Sequence, residues 1–270
     1  MTSIKIHVLQ TGKVKVDKAL PFYKSPLGFT GFFSKKENKI NLPVSTYLIE
    51  HPKGLILFDT GWSKDIRVAK QKRFSFGEMS VGVLPEGQAI DEQLAKFGYQ
   101  PEDIDFVVLS HLDGDHIGGI PDLKNAKQFI VSQQELEATN GWQRKIRYES
   151  KYWQDINFKL IDFNDNGIGP KKASYDLFQD GSIQLVWTPG HSNGLMSIMI
   201  TNNQNQFVLL VADVGYASKS WEQMILPGIS INKKDALASL RWVRKMANSE
   251  NCLAVLANHD PEIHPHTITF

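Results

Sequence analysis

An apolar run, Phe106-Val107-Val108-Leu109, leads directly into Ser110-His111-Leu112-Asp113-Gly114-Asp115-His116-Ile117-Gly118-Gly119. Two imidazoles and two carboxylates therefore crowd together at the end of what reads as a buried strand. Taking His111, Asp113, Asp115 and His116 out of water without a counter-charge would cost about several kcal/mol or more. A bound cation removes that objection, and the intervening glycines permit the tight backbone paths that let such side chains converge. The plainer alternative is a solvated turn, since Asp and Gly are ordinary turn residues. An Asp-Gly-Asp triplet also suits calcium, but calcium takes oxygen ligands; mixed imidazole and carboxylate suits zinc, iron, manganese or cobalt.

Three further polar residues close separate apolar runs. His191 follows Val186-Trp187-Thr188-Pro189-Gly190, Asp213 follows Phe207-Val208-Leu209-Leu210-Val211-Ala212, and His259 follows Leu253-Ala254-Val255-Leu256-Ala257-Asn258. One such His would ordinarily be a hydrogen-bonded structural residue. The coincidence of three positions where strands deliver side chains favours a metal site. His264 and His266, beside Pro261 and Pro265, read instead as a surface tail, and His7 and His51 as structural residues.

In the order His111, Asp113, Asp115, His116, His191, Asp213, His259, the chain resembles the metallo-β-lactamase superfamily, with its H-x-H-x-D-H motif followed by a distant His, an Asp and a last His. It is similar in particular to the N-acyl homoserine lactonase branch, through Asn41-Leu42-Pro43-Val44-Ser45-Thr46-Tyr47-Leu48-Ile49, Leu55-Ile56-Leu57-Phe58-Asp59-Thr60-Gly61, Pro101-Glu102-Asp103-Ile104-Asp105 and Asp213-Val214-Gly215-Tyr216. One position departs from the pattern: Asp113 stands where family lactonases usually carry His. A carboxylate there hardens the site and favours iron, manganese or cobalt over zinc relative to an all-His arrangement.

The resemblance implies two divalent transition metals per chain, zinc first, with iron, manganese or cobalt as alternatives. It assigns His111, Asp113 and His191 to the first, Asp115, His116 and His259 to the second, and Asp213 to both. It implies a hydrolase in which a metal-bridging hydroxide opens a lactone ring, N-acyl homoserine lactone or similar, hence quorum quenching. Tyr216 would stabilise the oxyanion and Asp115 would pass a proton to the leaving alkoxide. Asp59 would orient a ligand from behind. Phosphotriester or phosphodiester hydrolysis is the alternative, because paired metals also clamp phosphoryl oxygens. A di-iron redox protein is a third reading, motivated by Asp113, and a metal-bearing sensor a fourth.

Length and composition bound these readings. A chain of 270 residues, 41% hydrophobic, is long enough for a sizeable core, and one domain over residues 1–270 is expected. Thirty basic residues against 29 acidic ones leave no basic field for nucleic acid. The amino terminus alternates like a strand and lacks a signal peptide's apolar core, no segment is long enough to span a membrane, and Cys252 alone excludes an internal disulfide. A cytoplasmic enzyme acting on a small lactone or ester is expected, and the resemblance leaves room for a homodimer.

Apolar runs read against Gly and Pro punctuation predict strands near 4–10, 45–50, 54–59, 105–110, 128–132, 183–188, 195–201, 207–213 and 253–258. Between Asn232, a candidate cap, and Asn248, residues Ala236, Leu240, Val243 and Ala247 recur at helical spacing. Alternating strands and helices indicate a layered α/β protein. The resemblance sharpens this to an αβ/βα sandwich, two mixed sheets flanked by helices. Two aromatic segments read as insertions: Pro21 to Asn41, with Phe22, Tyr23, Phe29, Phe32 and Phe33, and Gly141 to Phe158, with Trp142, Tyr148, Tyr152 and Trp153. They suit local packing or a dimer contact on one reading and an acyl-chain pocket on the other, and the two readings can coexist.

Overall fold

Strands that lack a polar face need cover on both sides, and the central strands of this chain receive it. The computed structural model describes residues 3–22, 38–68, 80–141 and 147–270. Its strands are Lys5–Asp17 (β1), Lys39–His51 (β2), Gly54–Phe58 (β3), Ser80–Val83 (β4), Phe106–Val108 (β5), Phe129–Ser132 (β6), Phe158–Ile161 (β7), Asn164–Asp165 (β8), Ala173–Asp176 (β9), Ile183–Trp187 (β10), Met196–Thr201 (β11), Phe207–Ala212 (β12), Cys252–Ala257 (β13) and Thr267–Thr269 (β14). The α-helices are Asp65–Val68 (α1), Ile90–Ala95 (α2), Gly114–Ile117 (α3), Gln133–Ala138 (α4), Ser218–Glu222 (α5) and Lys233–Ala247 (α6).

One sheet runs β14-β1-β2-β3-β5-β6-β7, with β4 also on β1; the other runs β13-β12-β11-β10-β9-β8. The step from β3 through β5 and β6 to β7 is parallel, as is β12 with β13. Side chains on the parallel strands alternate between two cores. Ile56, Phe58, Val108 and Ile130 meet Leu185, Ile198 and Leu209 of the other sheet. Leu55, Leu57, Val107 and Val131 point the opposite way, toward Ile90 and Leu94 of α2. Each such side chain, fully buried, contributes about 1.5–3 kcal/mol. Leu240 and Val243 of α6 join the core that contains the second sheet, and the Asn232 side chain caps that helix by accepting from the amides of Lys234 and Asp235. The arrangement is the expected αβ/βα sandwich.

The structure corrects several local expectations. β1 continues past Gly12 to Asp17, because Gly12, which reads as punctuation, lies where the β1–β2 register shifts between Gln10 and Lys13. β2 begins at Lys39, inside the segment expected to be an insertion. Strands β4, β7, β8, β9 and β14 were not expected; β8 and β14 are two and three residues long and mostly exposed, so they carry little hydrophobic signal. The tail beyond His266 is therefore not free, since Thr267–Thr269 pairs with β1, while His264 and His266 are exposed. His7 is buried between Thr267 and Glu50.

Of the aromatic segments, Tyr23, Phe29, Phe32, Phe33 and Trp142 lie outside the described residues. Tyr148, Tyr152 and Trp153 are buried in the core with Leu109 and Val131, so for these three the packing account holds. Phe22 is buried in a third cluster, with Leu20, Leu42 and Tyr216. Among the described residues no helix is long and apolar enough to cross a membrane.

Candidate metal centre

Chain ends of strands from both sheets meet at one place. His111 and Asp113 follow β5, Asp115 and His116 ride on α3, His191 lies between β10 and β11, Asp213 follows β12 and His259 follows β13. Two glycines are required by close approach. A Cβ on Gly119 would lie 2.4 Å from the Thr60 carbonyl oxygen, so only Gly lets the segment after α3 rest on the turn after β3. Gly190, at φ +138°, would put a Cβ 2.2 Å from the Ala236 amide nitrogen, so the His191 loop sits directly against α6. Ala212 takes a left-handed φ of 46°, which turns the chain out of β12 just before Asp213.

All four imidazoles are held from behind by Nδ1. His191 Nδ1 lies 2.9 Å from the Ile229 carbonyl oxygen, and His259 Nδ1 2.9 Å from that of Pro43. A carbonyl only accepts, so both rings carry their proton on Nδ1. His116 Nδ1 meets Asp59 Oδ2 at 2.8 Å. Ser110 Oγ gives its single proton to Asp59 Oδ2 at 2.8 Å, and so it accepts from His111 Nδ1 at 2.9 Å. In the neutral rings every Nε2 therefore presents a lone pair.

Those lone pairs converge on carboxylates. Asp113 Oδ2 lies 3.3 Å from His111 Nε2 and 3.0 Å from His191 Nε2. Asp115 lies 3.9 Å from His116 Nε2 through Oδ1 and 3.6 Å from His259 Nε2 through Oδ2. Asp213 stands between the groups: its Oδ1 is 3.4 Å from His116 Nε2 and 3.3 Å from His259 Nε2, and its Oδ2 3.6 Å from His191 Nε2. Donor atoms of His111, Asp113 and His191, of His111, His116 and Asp213, and of Asp115, His116 and His259 each fall within 4.8 Å of one another. Buried His111 Nε2, His116 Nε2 and Asp213 Oδ1 have no hydrogen-bond partner. Lone pairs facing carboxylates repel, and each orphaned buried atom is costly; cations at the convergence points satisfy all of them, and the mixed nitrogen and oxygen donors suit transition metals.

The same field governs the proton affinities. Burial opposes charge on His116 and His259, yet the surrounding carboxylates, Asp213 foremost, raise both pKa values, that of His116 well above the ordinary imidazole range. Burial also opposes charge on Asp213, but His259 and His116 hold its carboxyl well below the usual range. For Asp113 the counterweight to burial is first the Arg147 guanidinium and then His111, and its pKa too falls well below the ordinary value. His191 moves the other way, because burial and then Arg147 both disfavour its cation. Tyr216, stacked on His259 at a ring separation of 5.0 Å, has its phenol pKa pushed well up by burial and by Asp213.

Residues 40–256 match the family described as the metallo-beta-lactamase superfamily. The chain belongs to that superfamily. It is 29% identical over 271 residues to the N-acyl homoserine lactonase AttM of Rhizobium radiobacter, covering 97% of this chain and 95% of the relative. It is 30% identical over 226 residues to the N-acyl homoserine lactonase AiiA of Bacillus thuringiensis subsp. kurstaki, 83% of each chain. Among solved structures it is similar to an N-acyl homoserine lactone hydrolase with the product N-hexanoyl-L-homoserine bound at the catalytic metal center, with a TM-score of 0.76, 26% identity, and 97% and 95% of the two chains covered. This metallo-β-lactamase-superfamily chain is a metal-dependent hydrolase, and its His and Asp clusters suit a pair of metals.

Every site residue singled out from this superfamily's motif is brought into the cluster or, for Tyr216, against it. Three participants were missed. Arg147 forks onto Asp113. Glu135, fully buried, accepts from the amides of Leu112 and Gly194 and so ties two ligand-bearing loops together. Asn258 donates to Asp59 at 2.8 Å. Asn258 sits directly before His259 and could have been suspected; Arg147 and Glu135 lie in stretches with no motif, and only the fold brings them close.

Proposed function

We propose that this hydrolase opens lactone rings, N-acyl homoserine lactones or close analogues, with two transition metals held in one metallo-β-lactamase-fold domain. In this reading His111, Asp113 and His191 hold the first metal, Asp115, His116 and His259 the second, and Asp213 spans them. The observation that carries it is the set of four Nε2 lone pairs turned on three carboxylates, with each ring locked from behind. Lactonase relatives at 29–30% identity supply the substrate class. Two bound cations supply a nucleophile from water at neutral pH and polarise the carbonyl it attacks.

The chain's own residues do the rest. Tyr216 stays protonated because burial and Asp213 disfavour the phenolate, so it remains a donor for an oxygen that gains negative charge as the carbonyl carbon becomes tetrahedral. The Asp115 side chain is 18% exposed against 4% for Asp213, which suits it to carry a proton to the departing alkoxide while Asp213 stays fixed. Phe22 and Leu20 pack in the same apolar cluster as Tyr216, and the acyl chain is taken to lie along that side of the site. Zinc is the first metal to try, with iron, manganese and cobalt next because of Asp113.

Metal analysis of protein purified without added metal, paired with ring-opening assays on short- and long-chain N-acyl homoserine lactones and parallel assays on aryl phosphotriesters, tests the reading. Two metals per chain and metal-dependent ring opening are expected. Two metals with turnover of phosphotriesters alone would overturn the lactone assignment and leave the dimetal hydrolase standing.

A further inference from the structure

Arg147 bonds both carboxylate oxygens of Asp113 and the backbone of His191. Its Nε donates to Asp113 Oδ1 at 2.5 Å and its Nη2 to Oδ2 at 2.8 Å, while Nη1 donates to the His191 carbonyl oxygen at 2.8 Å. One guanidinium thereby grips two members of the same trio. The Arg147 side chain is only 7% exposed, so its charge needs a partner. A carboxylate oxygen can accept more than one bond, and Asp113 Oδ2 does face two ways, toward Nη2 and toward His111 and His191 Nε2.

A forked Arg–carboxylate pair is a rigid unit of no net charge. Neutral imidazole is also a ligand of no net charge. We propose that Arg147 is a positioning residue for the first metal: it fixes the Asp113 carboxylate and cancels its charge, so that the pair serves in place of an imidazole ligand. The inference rests on the metal-centre reading above. It explains why a buried cation can sit beside a cation site, since Asp113 lies between the two, and why the guanidinium also reaches the His191 backbone. On this proposal either member changed alone damages the first position, and both changed together restore it.

The test is zinc binding to the full chain by equilibrium dialysis and chelator competition, resolving the two affinities, with thermal melting of the metal-free proteins as a control for folding. Wild type is expected to hold two metals. Asp113→His alone is expected to hold one, because the guanidinium is left beside the first position without its forked partner and with only Glu135 as a counter-charge, and Asp113→His with Arg147→Met to hold two again. Arg147→Lys, which keeps the charge but not the fork, is expected to weaken one metal by about ten- to a hundredfold and leave the other unchanged. This last variant decides the matter if Asp113→His fails to fold. Unchanged affinities in Arg147→Lys, or equal weakening of both metals together with a lower melting temperature, would overturn the inference while the wild type's two metals upheld the centre. A wild type binding fewer than two metals would overturn the centre and the inference with it.

Discussion

The two halves of the cluster are braced by opposite charges. Behind Asp113 and His191 stands a cation, Arg147, whose fork draws charge out of the Asp113 carboxylate. Behind His116 stands an anion, Asp59, which accepts from the Ser110 amide, the Ser110 hydroxyl, His116 Nδ1 and the Asn258 side chain. A carboxylate behind an imidazole makes its outer nitrogen a better donor, whereas a guanidinium behind a carboxylate makes that carboxylate a poorer one. On the proposed reading the second metal is therefore held more tightly than the first, although Asp59 also reaches His111 of the first through the Ser110 hydroxyl.

Among the described residues Asp213 is the only one whose two oxygens face both halves, so Asp213→Ala removes what the halves share. Paired-metal binding and hydrolysis should fall together to background, measured by metal analysis and turnover; a dimetal, active variant would sink the assignment. Tyr216 stacks on His259 without being a ligand, so Tyr216→Phe separates chemistry from metal holding. Turnover should drop on the order of a hundredfold, the size of a lost oxyanion donor, with both metals retained; an unchanged rate would remove the phenol from the mechanism.

Asp59→Asn sharpens the contrast itself. Asn tolerates the left-handed φ of 61° that Asp59 adopts, so the backbone is preserved while the anion is lost. Binding of the metal that His116 would hold should weaken most, by about ten- to a hundredfold, and that of the metal His111 would hold less, because Asp59 reaches His111 only through the Ser110 hydroxyl, read by chelator competition; equal weakening would mean that the halves are not separately braced. A control lies away from the cluster. The Arg67 fork holds the Glu92 carboxyl down to about 2 from 4.5. Because the folded value is depressed, the pair's stabilisation is present above pH 4.5 and is lost as pH falls toward about 2. Glu92→Gln should cost about 0.5 kcal/mol at neutral pH, a figure suited to a partly exposed pair, and flatten that acid limb without touching metal content.

What could be read from the sequence divides along similar physical lines. The ligands are legible because each closes a β-branched or aliphatic run, and a polar residue at that boundary stands out against its neighbours. The long helix was legible to within a residue at each end because Asn232 caps it and Ala236, Leu240 and Val243 mark its buried face. Arg147 and Glu135 were not, since a basic residue in a Lys- and Arg-containing stretch and an acidic one on a short helix carry the pattern of solvated surface. Only tertiary approach buries them. Gly12 misled for a related reason: the residue that breaks a strand and the residue that kinks one are the same in sequence, and pairing partners decide between them.

The bond from Asn258 to Asp59 joins residues 199 apart in the chain, and that from His259 to the Pro43 carbonyl spans 216. Closing loops of that length is entropically slow and is rewarded only after the intervening sheets have paired. During amino-to-carboxyl synthesis the Asp59 turn and the His116 helix are made long before the strand that brings Asn258 and His259. The centre is thus a late product of folding, and a nascent chain offers metal only fragments of it. On the proposed reading the full ligand set exists only once β13, which delivers His259, has paired with β12.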